Sequence, residues 1–156
     1  MSSIFHAQVE IPARPEPLFQ FHSNPQNLTV VMPPTLKLVS LKTDGPALEG
    51  RMIELHCRDF WVIPMRWTCR WKTVKSPYLL VDEMVKGPFS VFIHEHRFEA
   101  HGAHASIMHD TVTYKWGRSW WGKFISETAV RFYLTLLFKY RHHCTKQWAL
   151  ASGSSR

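Results

Sequence analysis

The stretch FIHEHRF places two histidines, His94 and His96, between Phe92 and Phe98 at even spacing. Residues i and i+2 of a β-strand share a face, so these four side chains would lie together on one face of a strand. An imidazole changes charge near neutral pH, can orient a polar ligand group and can bind a metal ion. Two imidazoles among aromatic rings therefore indicate a polar position on an otherwise apolar surface.

A carboxylate in the next strand is predicted to share the face of the histidines. The segment HGA predicts a three-residue hairpin loop at 101–103, with Gly102 available for a positive φ angle. Asp110 then lies opposite His94, and any loop of odd length keeps it on the histidine face. The full register pairs Ala100 with His104, Phe98 with Ser106, His96 with Met108, His94 with Asp110 and Phe92 with Val112. The inward face of the second strand comprises Met108, Asp110, Val112 and Tyr114.

The polar residues His94, His96 and Asp110 permit more than one kind of chemistry. A carboxylate fixes the tautomer of an imidazole and raises its pKa, whereas burial lowers that pKa. The favoured interpretation is a hydrogen-bonded polar pair in a cavity wall, because buried polar groups are usually paired. One alternative is acid–base catalysis by His94, with Asp110 orienting it and His96 polarising a carbonyl. The other is a metal site of two histidines and one carboxylate.

A second carboxylate is expected beside this face, and the sequence leaves its identity open. The turn KGPF decides it, because a loop of two or four residues places Glu83 on the histidine face, whereas a loop of three places Asp82 there. Trp67 lies on the inward face of the alternating stretch PMRWTCRWKTV, with Met65, Cys69 and Trp71. There it would serve in the core, as a platform for a ligand, or as both.

Hydrophobic periodicity predicts the elements that carry these residues. Alternating segments predict a first strand at 4–11 and six more strands between 36 and 116, joined by short turns as neighbours in one antiparallel sheet. Proline-containing segments at 15–23 and 24–32 predict two short helices after the first strand. The chain is thus predicted to be an α+β protein.

The last predicted element is a long amphipathic helix at 127–148. Arg141, His142 and Lys146 lie largely outside its apolar stripe, and His142 and His143 are expected to interact favourably with its C-terminal dipole. The stripe comprises Ala129, Phe132, Tyr133, Leu136, Leu137, Tyr140, Cys144 and Trp148, and it is widened by Val130, Leu134 and Phe138.

Composition narrows the range of functions. The formal net charge is +7, but the basic residues form no tract of five or more, which favours a solvated surface over a nucleic-acid partner. Binding to nucleic acid or an acidic membrane would need one patch formed by Arg66, Arg70, Lys72, Arg141 and Lys146. No Walker A, G-x-G-x-x-G or G-x-S-x-G motif is present, so the sequence supports neither nucleotide use by those routes nor serine-hydrolase chemistry.

Length and cysteine content fit a single domain. We expect that domain to span 1–150, with a disordered tail at 151–156. Three cysteines without C-x-x-C spacing, behind an N-terminus unlike a signal peptide, predict reduced thiols in a cytoplasmic protein. The apolar run FYLTLLF is too short to cross a bilayer, so no transmembrane segment is expected.

The sequence resembles the START and birch-pollen-allergen-like superfamily, also called SRPBCC, and within it the ligand-binding branch that includes polyketide cyclase-like proteins. The similar stretches are FHAQVEIPARPEPLFQFHSNPQNL, the pair Pro33–Pro34, PMRW, VDEMVKGPFSVFIHEHRFEA and DTVTY, which together span nearly the whole chain. The resemblance implies a helix-grip fold, in which a curved antiparallel sheet of about seven strands wraps around the long C-terminal helix and leaves an apolar cavity. It implies no metal and no cofactor, since most members need none.

These observations predict a protein that binds a small or medium hydrophobic molecule, such as a lipid, polyketide, aromatic or isoprenoid, in that cavity. The alternative is a cofactor-independent cyclase, dehydratase or isomerase that transfers protons through His94, His96 and Asp110. A second alternative is interaction with nucleic acid or an acidic membrane. The predicted ligand-binding residues are Trp67, Phe92, His94, His96, Phe98, Met108, Asp110, Tyr114, Phe132, Tyr133 and Leu136.

Overall fold

In the part of the chain that the structure describes, one strand, two short helices, six strands and one long helix follow each other, as predicted. The computed structural model describes residues 2–60, 62–116 and 126–153. The elements are β1 (Ser3–Ile11), α1 (Pro15–Ser23), a 3-10 turn (Pro25–Asn27), α2 (Leu28–Val31), β2 (Leu36–Thr43), β3 (Met52–Asp59), β4 (Ile63–Lys75), β5 (Leu79–Lys86), β6 (Phe89–His101), β7 (Ala105–Trp116), a π-helical turn (Ser126–Val130) and α3 (Arg131–Gly153).

The seven strands form one antiparallel sheet in the order β1-β7-β6-β5-β4-β3-β2. Strands β2 to β7 are sequential neighbours, and β1 pairs with β7. The long helix α3 packs against β1 and α2, so the sheet and the two short helices surround it in the predicted helix-grip arrangement. Among the helices of the described segments, none is both long enough and apolar enough to cross a membrane.

Proline and asparagine define the two short helices. Pro15 lies in the first turn of α1, where its missing N–H is not needed. Asn24 caps the next turn, because its side-chain oxygen accepts a hydrogen bond from Gln26 N at 3.1 Å, and Pro25 follows it at the first helical position. These features agree with the predicted start of the second helix, which is a 3-10 turn leading into α2.

Strands β6 and β7 pair in a register that differs by two residues from the predicted one. His101 still belongs to the ladder, and the loop is 102–104, with Gly102 at φ +70°. His96 therefore pairs directly with Asp110, in the position predicted for His94. The loop keeps its predicted length but begins one residue later, so the shift is even and every side chain keeps its face. Asp110 thus lies on the histidine face.

Two groups of buried side chains form the core. Phe98, Met108 and Tyr114, which we assigned to ligand binding from the sequence, belong to these groups and are each 1% exposed. Their side chains are packed against other core residues and do not belong to the cavity lining, so their assignment to ligand binding stays a prediction. One group comprises Ile11, Leu18, Phe19, Ile53, Trp71, Leu80, Phe98, Met108 and Ala149. The other comprises Phe5, Val112, Tyr114, Val130, Leu134 and Phe138.

The buried face of α3 differs from the predicted stripe. Its buried residues are Leu134, Phe138, His142, Thr145 and Ala149. Phe132 and Leu136, which the sequence analysis placed in the cavity, are 67% and 52% exposed. The prediction is wrong for these two because it favoured apolar residues and excluded His142 as polar. The helix also continues through Gly153, three residues into the segment expected to be disordered, whereas 154–156 lie outside the described residues.

Candidate functional site

A cavity of about 440 Å³ lies between the sheet and the three helices. This volume falls within the usual range of small-molecule sites, roughly 300–1,000 Å³. Most of its lining is apolar. The apolar lining residues include Phe21, Leu28, Val31, Ile53, Leu55, Met65, Trp67, Phe89, Phe92, Val130, Tyr133, Leu134, Leu137 and Phe138.

Three aromatic side chains from β4 and β6 form one side of the cavity, which we call the aromatic wall: Trp67, Phe89 and Phe92. The ring centroids of Trp67 and Phe92 are 5.4 Å apart in an edge-to-face arrangement, and those of Phe89 and Phe92 are 5.2 Å apart. Such pairs fix the ring positions, because the edge of one ring is attracted to the face of the next. The wall offers a preformed surface for an apolar or aromatic ligand.

In contrast to the apolar wall, a second group of side chains is polar and consists of a buried carboxylate surrounded by imidazoles. We call it the imidazole cluster: Asp110, His94, His96 and His142. His94 Nε2 donates a hydrogen bond to Asp110 Oδ1 at 3.1 Å, and His142 Nε2 donates one to Asp110 Oδ2 at 2.6 Å. His96 Nδ1 lies 2.6 Å from Asp110 Oδ1, but its angle is not that of a hydrogen bond. All four residues are buried, so the cluster is shielded from bulk water.

Burial and mutual proximity perturb the protonation of the cluster. Burial lowers the pKa of His96 to about 4, with His94 acting in the same direction and Asp110 opposing it. Burial also lowers the pKa of His94, against the effect of Asp110. Burial by itself would raise the pKa of Asp110, but the three imidazoles outweigh it and hold that pKa well below its usual range. At neutral pH Asp110 is therefore a carboxylate, and His94 and His96 are neutral imidazoles.

Asp82 is the second carboxylate on the histidine face. It pairs with His94 across β5 and β6 and lines the cavity, as expected for the odd-length turn. Glu83 points to the other side, where it forms ion pairs with Arg70 and Lys72. The sequence left these alternatives open, and the register of the KGPF hairpin decides between them.

The environment of Asp82 favours its neutral form. Burial raises its pKa to about 6, while His96 and Arg141 act in the opposite direction. Its Oδ1 lies 3.6 Å from His94 Nδ1, just beyond a hydrogen bond. Because His94 donates through Nε2 to Asp110, its Nδ1 is the acceptor in the neutral tautomer. Near pH 6 Asp82 is present in both protonation states, and its Oδ1 lies close to the unprotonated nitrogen of His94.

Two further polar residues of the cavity come from helices. Arg141 of α3 lines the cavity, and burial lowers its pKa against the effects of Asp110 and Asp82. His22 of α1 lies 4.9 Å from His96 between ring centroids. Among the described residues its Nε2 has no hydrogen-bond partner, and burial lowers the pKa of His22 well below its usual value. His22 is therefore a neutral imidazole with a free nitrogen.

The sequence analysis did not assign His22, Arg141 or His142 to the site. His142 is displaced by four residues from Phe138 and by eight from Leu134, so a stripe drawn at i+4 spacing from Val130 would have included it. The same signal is lacking for His22 and Arg141, because nothing local shows that α1 and α3 meet the histidine face.

The predicted site residues have different positions. Trp67, Phe92, His94, His96 and Tyr133 line the cavity. Asp110 is 1% exposed and lies behind the histidines, in the wall. The remaining predicted ligand-binding residues are the packed or exposed ones described above: Phe98, Met108, Tyr114, Phe132 and Leu136.

Metal binding and a basic patch were two other possibilities raised by the sequence. His94, His96 and Asp110 hold ligand atoms within 4.8 Å of one another, so they are the set that a metal ion would use. The patch does not form as expected, because Arg141 lines the cavity while Arg70 and Lys72 contact Glu83.

Solved structures share this architecture. A norcoclaurine synthase point mutant from Thalictrum flavum has a TM-score of 0.72 at 11% identity, covering 98% of this chain and 97% of that one. The Zhui aromatase/cyclase from Streptomyces sp. R1128 has a TM-score of 0.76 at 11% identity, covering 96% and 94%. Ara h 8.0201 has a TM-score of 0.73 at 12% identity, covering 97% and 99%. No protein-family model matches the sequence, and no curated protein matches it.

These likenesses confirm the resemblance at the level of the fold. The chain has the helix-grip fold of these solved structures, with a seven-stranded antiparallel sheet and a long C-terminal helix. Identities this low show the fold alone, and function must be argued from the cavity.

Proposed function

We propose that this protein binds a small or medium hydrophobic molecule that carries an oxygen-containing polar group at one end. The observation that supports this most is a cavity of about 440 Å³ whose lining is mostly apolar, with a polar region at Asp82, His94 and Arg141. Apolar area provides the affinity, and a few convergent polar groups fix the orientation of the ligand. Norcoclaurine synthase, which has the same fold, has been solved with dopamine and hydroxybenzaldehyde, which supports an aromatic ligand.

The polar region selects the chemistry of the ligand's polar end. Asp82 in its protonated form donates a hydrogen bond, Arg141 donates several, and Nε2 of His22 either donates or accepts. A carbonyl or phenolic oxygen satisfies such a mixed set at low cost. A free carboxylate would have to approach Asp82 and lose its hydration, so the proposal favours neutral ligands.

The direct experiment is native mass spectrometry of the protein purified from its own source. We expect an additional mass that disappears on denaturation and identifies the bound molecule. A protein that carries no ligand and also fails to bind apolar probes contradicts the proposal.

Phe92→Ala tests the aromatic wall with a fluorescent probe, 8-anilinonaphthalene-1-sulfonate. Loss of the ring removes contact area, so we expect roughly tenfold weaker binding, equivalent to about 1.4 kcal/mol. Phe132→Ala is the matched control, because that ring is exposed on the outer face of α3. Equal affinities of the two variants, with both folded by circular dichroism, would show that the probe does not occupy the cavity.

A second candidate function is proton transfer on such a ligand, as in a cofactor-independent cyclase, dehydratase or isomerase. The observation that favours it is Asp82, a cavity-facing carboxyl whose pKa is raised to about 6 beside His94 Nδ1. General acid–base groups work best when their pKa lies near the operating pH. Asp82 would take a proton from carbon next to a carbonyl, and Arg141 would stabilise the enolate oxygen.

Asp82→Asn separates the two functions. With the molecule identified by mass spectrometry as the substrate, we expect this variant to retain binding and to lose conversion to product. Glu83→Gln is the control, since that carboxylate lies on the outer face with Arg70. If Asp82→Asn turns over the substrate as fast as the unaltered protein, the catalytic role is contradicted and the proposal of ligand binding is unaffected.

A further inference from the structure

The connection between β3 and β4 exposes large apolar side chains. Phe60, Val62 and Ile63 are 60%, 75% and 54% exposed. Phe60 has a φ angle of +45°. Bulky side chains rarely adopt this conformation, because it strains the backbone, and such strain is concentrated at functional positions. Contiguous exposed apolar residues at a hairpin tip differ from single scattered ones and mark an interaction surface. We call these three residues the apolar tip.

The apolar tip lies at one end of the cavity. Asp59 and Met65, on either side of the tip, both line the cavity. Tyr133, near the start of α3, also lines it, and Asp59 and Cys57 contribute to its pKa, which burial raises to about 12. The strand ends that flank the tip and the first turn of α3 therefore border the same cavity.

The first turns of α3 also carry exposed apolar side chains. Phe132 follows the cavity residues Ala129 and Val130 and precedes Tyr133, and Leu136 lies one turn later. Both Phe132 and Leu136 point away from the core. Arg141, at the polar region, is eight residues beyond Tyr133, which is about 12 Å along the helix. The exposed apolar groups are thus at the end away from Arg141.

The charge around the tip is positive. Lys37 pairs with Arg58 across β2 and β3, and Arg66 lies on the return strand; all three are exposed. The only acidic residue between Glu54 and Asp82 is Asp59, and it is half-buried and lines the cavity. An apolar tip with basic residues beside it is the combination that binds the interface of an anionic bilayer.

We propose that the apolar tip inserts into an anionic lipid surface, with Arg58 and Arg66 at the phosphate headgroups, and so places the end of the cavity against the bilayer. The route by which an apolar ligand passes between membrane and cavity rests on the proposed function. The docking itself does not, because it depends only on the exposed side chains and their charge. The partner is a lipid surface and not a protein, because exposed apolar side chains with basic neighbours suit the interface of an anionic bilayer, and Asp59, the acidic residue next to the tip, lines the cavity.

Vesicle co-sedimentation of the full chain tests this proposal. We expect binding to phosphatidylcholine vesicles that contain phosphatidylserine, weak binding to phosphatidylcholine alone, and release at high salt. Phe60→Ser combined with Val62→Ser should weaken binding about tenfold, since exposed tip residues contribute through their insertion. Ile4→Ser combined with Leu150→Ser is the matched control, because these exposed residues lie on other elements.

A charge-matched pair tests the basic residues. Arg58→Glu combined with Arg66→Glu should abolish the salt-sensitive binding, whereas Lys115→Glu combined with Lys146→Glu changes the net charge equally and should reduce it only slightly. Equal effects of the two pairs, or of the two apolar pairs, would overturn the proposal, as would absence of vesicle binding at low salt. Self-association through the tip without vesicle binding would also overturn it.

Retained binding of 8-anilinonaphthalene-1-sulfonate by the tip variant distinguishes the two proposals. If the unaltered chain binds the probe but not vesicles, the docking proposal fails on its own. If vesicles bind but the probe does not, ligand binding in the cavity fails and docking survives.

Discussion

The aromatic wall and the imidazole cluster share strand β6, yet they differ in how they are stabilised. Phe92 belongs to the wall and His94 to the cluster, two residues apart on one face. The aromatic rings pack against one another through their apolar surfaces, so each could be replaced by a ring of similar size. The cluster instead depends on one carboxylate, Asp110, that satisfies hydrogen-bond donors from two distant elements. Apolar packing tolerates a side chain of similar size, whereas a buried hydrogen-bond network does not tolerate the loss of a partner.

That difference predicts where a mutation acts. Substitution in the aromatic wall should change affinity for an apolar ligand with little effect on the free energy of unfolding. Substitution in the imidazole cluster should change the free energy of unfolding first, because it leaves buried polar groups without partners.

Asp110→Asn should have the largest effect. The amide removes the charge that accepts hydrogen bonds from His94 and His142, and two hydrogen bonds to a charged group are worth roughly 3 kcal/mol or more in total. Urea denaturation measures this loss. Glu83→Gln, at the exposed ion pair with Arg70, should lose at most about 1 kcal/mol. Similar losses for the two variants would mean that Asp110 is not the centre of the cluster.

Acidification should have the next largest effect. Unfolded histidines take up a proton near pH 6.5, whereas folded His96 does so only near pH 4. Between these values the unfolded state binds more protons, so the free energy of unfolding decreases as the pH falls from about 6.5 to 4, by about 3 kcal/mol for His96 alone. His94 and His22, whose pKa values burial also lowers, add to this decrease.

Asp82 acts in the opposite direction over the same range. Burial raises its pKa to about 6, so its contribution to stability is present at low pH and is lost as the pH rises through 6. Asp82→Asn should therefore steepen the loss of stability on acidification. Urea denaturation at a series of pH values measures both profiles, and an Asp82→Asn profile no steeper than that of the unaltered protein would contradict the assignment.

His142→Ala and His143→Ala compare the cluster with the surface at adjacent positions. His142 donates to Asp110 in the core, while His143 is exposed. For His142→Ala we expect the free energy of unfolding to fall by about 2 kcal/mol, because Asp110 loses a hydrogen bond and its buried oxygen is left without that donor. For His143→Ala we expect a change within about 0.5 kcal/mol. Thermal denaturation of both variants measures the difference. Equal losses would place His142 outside the cluster.

Trp67→Phe should have the smallest effect on stability. It keeps an aromatic ring against Phe92 in the partly open wall, so we expect the free energy of unfolding to change by less than about 1.5 kcal/mol. Probe affinity should change as well, since the ring contacts the cavity. A large loss of stability without a change in affinity would identify Trp67 as a core residue, which the sequence analysis left as an alternative.

Periodicity by itself predicted most of the architecture. Alternation identified the seven strands and their short turns, and the helical spacing after 126 identified α3, because backbone geometry imposes a period of two or 3.6 on buried side chains. The face shared by His94, His96 and Asp110 also followed, since a loop of any odd length preserves it.

The register and the outer parts of the site needed the tertiary structure. One residue of difference in where the hairpin loop begins moved Asp110 from His94 to His96, and the KGPF turn selected Asp82 over Glu83. No local pattern encodes these choices, because turns of similar sequence permit more than one loop.

The sequence alone determined which residues can share a face and which class of fold carries them. Only the tertiary structure decided that His142 and Arg141 of α3 and His22 of α1 meet the sheet around Asp110. The physical reason is that periodicity reports burial within one element, whereas the partner of a buried polar group is set by packing between elements distant in sequence. From the sequence, a polar residue on a helix is therefore predicted to be exposed to solvent, and only the tertiary structure shows that a carboxylate on another element faces it.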